Sequence, residues 1–192
     1  GAADALGGFK AAAIKVLMLT GQRSGVVAGM RRDEVDLEER TWTIPGDQVG
    51  RSKNKLDHII PLSDQALEIY LSVPEIVGRA HVFCSGRGDK AMMIGNKLFV
   101  TTAQQAGFDD WCWQNLRSLV ATRMKRPLAV SDHIINLVQG RLDQSVLAKN
   151  YDCNDYLEEK RSALQAWANH LDEVVSGAGR SNVVSIKEKR DG

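Results

Sequence analysis

Several signatures are missing from this chain, and each absence removes a class of function. There are only three cysteines, Cys84, Cys112 and Cys153, odd in number and far apart with no CxxC pair. Neither a zinc site nor a disulfide framework is supported, and a reducing, cytoplasmic setting is expected. No long hydrophobic run exists: "AAAIKVLML" (11–19) is too short to span a bilayer and contains Lys15. No secretory leader is visible, and no membrane partner is expected. The Gly-rich phosphate loop, HExxH and GxSxG are all absent, so the sequence gives no reason to expect a cofactor or a metal. Charge of one sign is lacking too. The net charge is +1, which provides no global basic signal for nucleic acid. The basic residues are nonetheless clustered, at Arg31/Arg32, Arg51/Lys53/Lys55 and Arg123/Lys125/Arg126. The chain also opens without methionine, on "GAADALGGFK". That opening suggests a fragment of a longer protein, with an N-terminal domain outside it.

What is present fits one domain of ordinary globular composition, large enough to bury a sizeable core. "GGFKAAAIKVLMLTG" (7–21) reads as an apolar helix stopped by Gly21. "RSGVVAGM" begins a second, short one. "RTWTIP" (40–45) and "DHIIPLS" (57–63) are rich in β-branched residues, and the polar "GDQVGRSKNKL" between them makes a hairpin with a basic loop. Ser63 is placed to cap a helix over "SDQALEIYLSV" (63–73). A loop from "HVFCSGRGDKAMMIGNKL" (81–98) leads into another helix. "DDWCWQNLRSLVATRM" (109–124) has Leu116, Leu119, Val120 and Met124 at helical spacing, with Gln114 and Arg117 three apart on one face. "VSDHIINLVQG" (130–140) is a further helix. The last runs over "NDYLEEKRSALQAWANHLDEVVSG" (154–177), with Asn154 as its expected cap. Its apolar side is Leu157, Leu164, Trp167, Leu171 and Val175. The fold class is therefore mainly α with a small antiparallel β-sheet. It divides into a domain over 1–176 and a mobile tail over 177–192.

Taken singly, the candidate residues Arg23, Lys53, Arg117, Arg141 and Tyr151 are weak signals. Arg117 is the least ordinary, because an arginine among apolar helix neighbours needs a partner. Tyr151 lies in "VLAKNYDCNDYLEEK" (146–160), a polar segment that offers its ring no obvious core.

The order and context of these residues resemble the tyrosine recombinases of the phage integrase family. "LMLTGQRSGVVAGM" resembles the segment with the first catalytic arginine, here Arg23. "WTIPGDQVGRSKNKLDHIIPLS" resembles the hairpin that carries the catalytic lysine, here Lys53. "WQNLRSLVATRM" resembles the HxxR helix, with its arginine at Arg117. "VLAKNYDCNDYLEEKRSALQAWANHL" resembles the nucleophile segment of bacterial prophage and island integrases, with the nucleophile at Tyr151. The resemblance implies the catalytic-domain fold of DNA breaking and rejoining enzymes. It implies double-stranded DNA carrying an attachment site as partner, self-association on that DNA and a 3′-phosphotyrosyl intermediate. Lys55, Arg51 and Arg123 are the expected further DNA contacts.

The sequence departs from the family pattern at several positions. The HxxR histidine is Gln114, and the aspartate often beside it is Asn115. The acidic residue usual just after RxG is Val26, which predicts a less well held Arg23. The second histidine or tryptophan falls on "QGR", aligned to Arg141 with Gly140 as the one-residue alternative. "LVQGRLDQSVLAKNY" resembles archaeal virus integrases that use arginine there. Two readings follow: a recombinase domain of attenuated or specialised activity, or a catalytically degenerate integrase-like protein acting in DNA binding or assembly alone.

Overall fold

The computed structural model describes residues 7–47, 56–84, 88–109, 112–141 and 156–177. Seven helices and three strands are formed by these residues. Helix α1 (Gly8–Thr20) is the central one, with Ala13, Ile14, Val16, Leu17, Leu19 and Thr20 all buried. It stops where expected, at Gly21, whose φ of 62° lets its N–H close on the Leu17 carbonyl at 3.0 Å. A side chain there would also collide, since a Cβ on Gly21 would sit 3.0 Å from Val120 Cγ1. The short helix α2 (Ser24–Ala28) follows at once, with Arg23 as the residue before its first turn.

The hairpin is present and gains a third strand. β1 (Val35–Asp36), β2 (Thr41–Ile44) and β3 (His58–Pro61) form an antiparallel sheet in the order β1-β2-β3. Two residues make β1, too few for a period-two pattern to reveal it. In the β2–β3 register Trp42 faces Ile60 and Ile44 faces His58. Period-two alternation therefore puts His58 on the same side of β3 as Ile60, which is buried. Trp42 is fully buried, and its indole N–H donates to Glu34 Oε2 at 3.0 Å.

The remaining helices pack around α1 and the sheet. Helix α3 (Asp64–Ser72) starts at Ser63, whose hydroxyl accepts from the Ala66 N–H at 3.3 Å. Helix α4 (Asn96–Gln105) follows the long connection, and then comes α5 (Trp113–Lys125). Helix α6 (Asp132–Val138) is capped by Ser131, which accepts from the Ile134 N–H at 3.3 Å. Helix α7 (Leu157–Ser176) lies against β3, α6, α1 and α3. Its Trp167 is buried and donates to the Met18 carbonyl at 2.8 Å. Gln65 Nε2 ties α3 to α7 through Asn169 (3.0 Å) and Asp172 (2.6 Å).

Two expectations for α7 are corrected. Its N-cap position is Tyr156, in the left-handed conformation at φ 63°; Asn154 lies outside the described residues. Val175 is 82% exposed, because the buried face closes with Trp167 and Ala168 and the last turns run past the body of the domain. The segment after Gly177, expected to be a mobile tail, also lies outside the described residues. Among the described residues no helix is long and apolar enough to cross a membrane.

Candidate active site

Three of the expected site residues come together from three elements. Arg117 sits mid-way along α5 and is 8% exposed. Its guanidinium donates through Nη1 to the Gly21 carbonyl at 3.3 Å and through Nη2 to the Gln139 carbonyl. These two acceptors are the partner that a buried arginine requires. They fix it between the end of α1 and the end of α6. Gln139, fully buried, returns a bond from Nε2 to the Arg117 carbonyl at 2.8 Å.

Arg23 and Arg141 complete the cluster. The backbone of Arg23 is held by the start of α2, where its carbonyl accepts from Val26 N (3.0 Å) and Val27 N (3.1 Å). Val26 itself is a core residue, 3% exposed, so an apolar contact occupies the position where the family usually has an acid. Arg141 is placed by the end of α6. Gly140 takes φ 59° and donates to the Leu137 carbonyl at 3.1 Å, while Arg141 N–H reaches back to the Asn136 carbonyl at 2.8 Å. This is a Schellman turn, and it aims the chain so that Arg141, not Gly140, brings a side chain to the site.

The electrostatics record how near the three cations are to one another. Burial and then the Arg141 charge lower the pKa of Arg23. Burial, then Arg23, then Arg141 pull Arg117 down to about 9, which still leaves it charged at neutral pH. Among the described residues none of the three has a carboxylate partner. Two further cations gathered around the buried Arg117, with no carboxylate partner among the described residues, are unfavourable on their own. A phosphate supplies the missing charge, and guanidinium groups match its oxygens in pairs.

The other expected residues are placed as follows. Gln114 is exposed, one helical turn before Arg117 on α5. Arg123 is exposed in the last turn of α5, six residues on and so about a third of a turn around the helix from Arg117. It does not join the cluster. Lys53, Arg51, Lys55 and Tyr151 lie outside the described residues. The two ends of the Lys53 loop are held together: Gly46 N–H donates to Asp57 Oδ1 at 2.8 Å. No three His, Cys, Asp or Glu side chains gather into a metal-binding group among the described residues.

Four polar residues beside the cluster were not picked out in the sequence: Gln22, His58, Gln139 and Lys160. Lys160 is 2% exposed and donates to the Ile59 carbonyl of β3 at 3.0 Å. Its signal was its position, three after Leu157 and four before Leu164 on the apolar side of α7. His58 had a similar signal, two residues before Ile60 in a half-buried strand. Its ring lies against Gly140, where a Cβ would meet Nε2 at 3.3 Å.

Burial holds His58 down to about 4, helped by the charges of Lys160, Arg117 and Arg23 and opposed by its bond to the Val138 carbonyl. The ring is therefore neutral at pH 7. In the unfolded chain it takes up a proton from about pH 6.5 downward, whereas the folded chain does so only near 4. Stability is lost as pH falls through that window and returns as it rises. Denaturant titrations at pH 7 and pH 5 should differ by about 2 kcal/mol more for the parent than for His58→Gln, which has no proton to take up. Equal pH dependence in the two proteins would mean that the folded ring titrates normally.

A mainly helical domain with a small antiparallel sheet, presenting an arginine cluster that calls for a phosphate, defines the class. Residues 4–144 match the phage integrase family, and the chain belongs to that family, the tyrosine recombinases. Prophage integrase IntA of Escherichia coli (strain K12) is 27% identical over 162 residues, covering 84% of this chain and 38% of IntA. The integrase of Enterobacteria phage P4 is 25% identical over 173 residues, covering 83% of this chain and 39% of that protein. The chain thus spans about two-fifths of the length of these curated relatives. Among solved structures, the integrase from mycobacterium phage Brujita superposes with a TM-score of 0.62 at 17% identity, over 80% of this chain and 50% of that one. That likeness is one of fold.

Proposed function

We propose that this chain is the catalytic domain of a site-specific DNA recombinase that cleaves and rejoins strands through a 3′-phosphotyrosyl link, with attenuated or specialised activity. The observation that carries this reading is the Arg23–Arg117–Arg141 cluster without a carboxylate among the described residues. Arg117 is held in it by two backbone carbonyls. A domain that only bound or assembled on DNA would gain little from keeping three cations in mutual repulsion around one buried fork. The relatives named as integrases support the same reading.

In this mechanism the scissile phosphate of an attachment site sits among the three guanidiniums. Tyr151 attacks the phosphorus in line, and the bond to the 5′-oxygen breaks. The 5′-hydroxyl leaves with a proton from Lys53. A 5′-hydroxyl from another strand reverses the step, so the energy of the phosphodiester is kept in the phosphotyrosine. Gln114 can donate a hydrogen bond to phosphate but cannot accept a proton from the nucleophile. A phenol of pKa about 10 is three units from ionised at pH 7, roughly 4 kcal/mol. Without a histidine base, the phenol proton passes to water or to a phosphate oxygen, and the cationic cluster has to lower the cost of ionisation.

The test is incubation of the full-length protein with a suicide DNA substrate that traps the cleaved strand. A covalent protein–DNA band supports the recombinase. Intact site-specific binding with no band favours the non-enzymatic reading. The role of Lys53 has its own test. Lys53→Ala should slow cleavage by about 10²–10³ with an ordinary 5′-oxygen leaving group. A 5′-bridging phosphorothioate, whose sulfur leaves without protonation, should recover most of that rate. Equal loss on both substrates would remove Lys53 as the acid and turn attention to Lys55.

A further inference from the structure

One backbone carbonyl, that of Val138, collects donors from two distant parts of the chain. Gln22 Nε2 reaches it at 2.6 Å and His58 Nε2 at 3.2 Å. Val138 is the last residue of α6, where helix carbonyls have lost their intrahelical donors. A carbonyl oxygen has two acceptor sites, and here each is matched by a side-chain N–H. Gln22 is 4% exposed and is fixed a second time by its bond to the Thr20 carbonyl at 3.1 Å.

The three contacts along this turn meet different parts of the site. Gln22 immediately precedes Arg23. His58 opens β3, the strand that receives the chain from the Lys53 loop, and pairs with Ile44 at the end of β2. The next carbonyl, of Gln139, takes Arg117, and two residues later comes Arg141. Residues 138–141 therefore gather the neighbour of one arginine, the fork of a second, the third itself and the foot of the hairpin. Among the described residues the charged groups acting on His58 are cationic: Lys160 from α7, Arg117 from α5 and Arg23 from before α2. A neutral imidazole gives the N–H that the carbonyl needs and adds no further charge.

We propose that Gln22 and His58 form a two-donor clamp on the Val138 carbonyl that sets Arg23 and strand β3 in register with Arg117 and Arg141. Both are positioning residues for the phosphate site. The inference rests on the recombinase reading for its effect on cleavage, but the clamp also predicts how the site holds a simple anion.

Both consequences are tested in the full-length protein with Gln22→Met, His58→Phe, the double variant and the conservative His58→Gln. Covalent adduct formation on a suicide substrate and the Kd for the same DNA are measured separately. Inorganic sulfate binding is followed by shifts of arginine side-chain N–H resonances. His58→Phe and Gln22→Met should each slow adduct formation about tenfold or more and change the DNA Kd by less than about threefold. Sulfate affinity should fall about fivefold or more in each. His58→Gln, which keeps an N–H donor, should restore both readouts to within about threefold of the parent. The double variant should lose less than the product of the single losses, because the donors share one acceptor. If His58→Phe does not fold, Gln22→Met carries the same comparison. Parent-like adduct rates and sulfate binding in the folded variants would overturn the clamp. So would a His58→Gln protein as impaired as His58→Phe, since ring packing on Gly140 would then be what matters. A parent that binds its site but makes no adduct would sink the recombinase reading, and the sulfate arm alone would decide the clamp.

Discussion

Tyr151→Phe should eliminate the covalent protein–DNA band and leave site-specific DNA binding and thermal stability as they were. This is the largest effect expected of any single substitution, because in the proposed mechanism the phenol oxygen is the atom that forms the new bond. Loss of a nucleophile removes the covalent route altogether, not merely a few kcal/mol of its barrier. The assignment comes from the resemblance of the segment "VLAKNYDCNDYLEEK" to the family's nucleophile segment, since the family match over residues 4–144 ends before Tyr151. Tyr156 is the control. It stands at the head of α7 with its ring edge-on to His133, centroids 4.9 Å apart, so its position is explained by packing. Tyr156→Phe keeps that ring contact and should keep the band. A band that survives Tyr151→Phe and disappears with Tyr156→Phe would reverse the assignment. A band lost in both, with DNA binding also lost, would point to damage to the fold around the start of α7.

Much of this architecture is written in local patterns. The α1 stop at Gly21, the Ser63 cap and the apolar spacing of α5 are short-range features, and each appears where the pattern places it. The hairpin itself follows from β-branched runs on either side of a polar loop. What escaped the sequence depends on distant partners. β1 is two residues long and exists because β2 is there to pair with it. Gln22 and Gln139 look like ordinary polar residues until the chain brings the ends of α1 and α6 against the middle of α5, when their amides donate to the Val138 and Arg117 carbonyls. Without an acid after Arg23 a loosely held arginine side chain was expected; the two hydrogen bonds from the first turn of α2 hold the Arg23 backbone and do not bear on its side chain. Of the site residues, the arginines were legible through their order along the chain. Their mutual proximity was not, since it arises from a Schellman turn and a fork between two helix ends.

Arg117→Met should lower the cleavage rate by about 10²–10³ or more while costing the fold less than the loss of a buried arginine ordinarily does. In the proposed mechanism the rate effect follows from removing a preorganised guanidinium whose remaining N–H groups would meet developing negative charge. The stability effect is a difference of opposing terms. Two carbonyls, of Gly21 and Gln139, lose their donor, at about 1–3 kcal/mol each if water cannot replace it. Against this, the desolvated charge disappears, and with it the repulsion that Arg23 and Arg141 exert on Arg117. Methionine fills much of the arginine stem's volume, so little cavity is left. A net loss of about 1–3 kcal/mol is expected, below the usual 3–5 for breaking a buried ion pair. Sulfate separates the two effects. It should raise the melting temperature of the parent by occupying the cluster and should raise that of Arg117→Met distinctly less. Arg117→Lys keeps the charge but not the planar fork, so it should recover part of the sulfate response and little of the cleavage. A variant that cleaves normally would show that Arg117 braces α1 against α6 without touching the phosphate. A variant stabilised by sulfate as strongly as the parent would place the anion elsewhere.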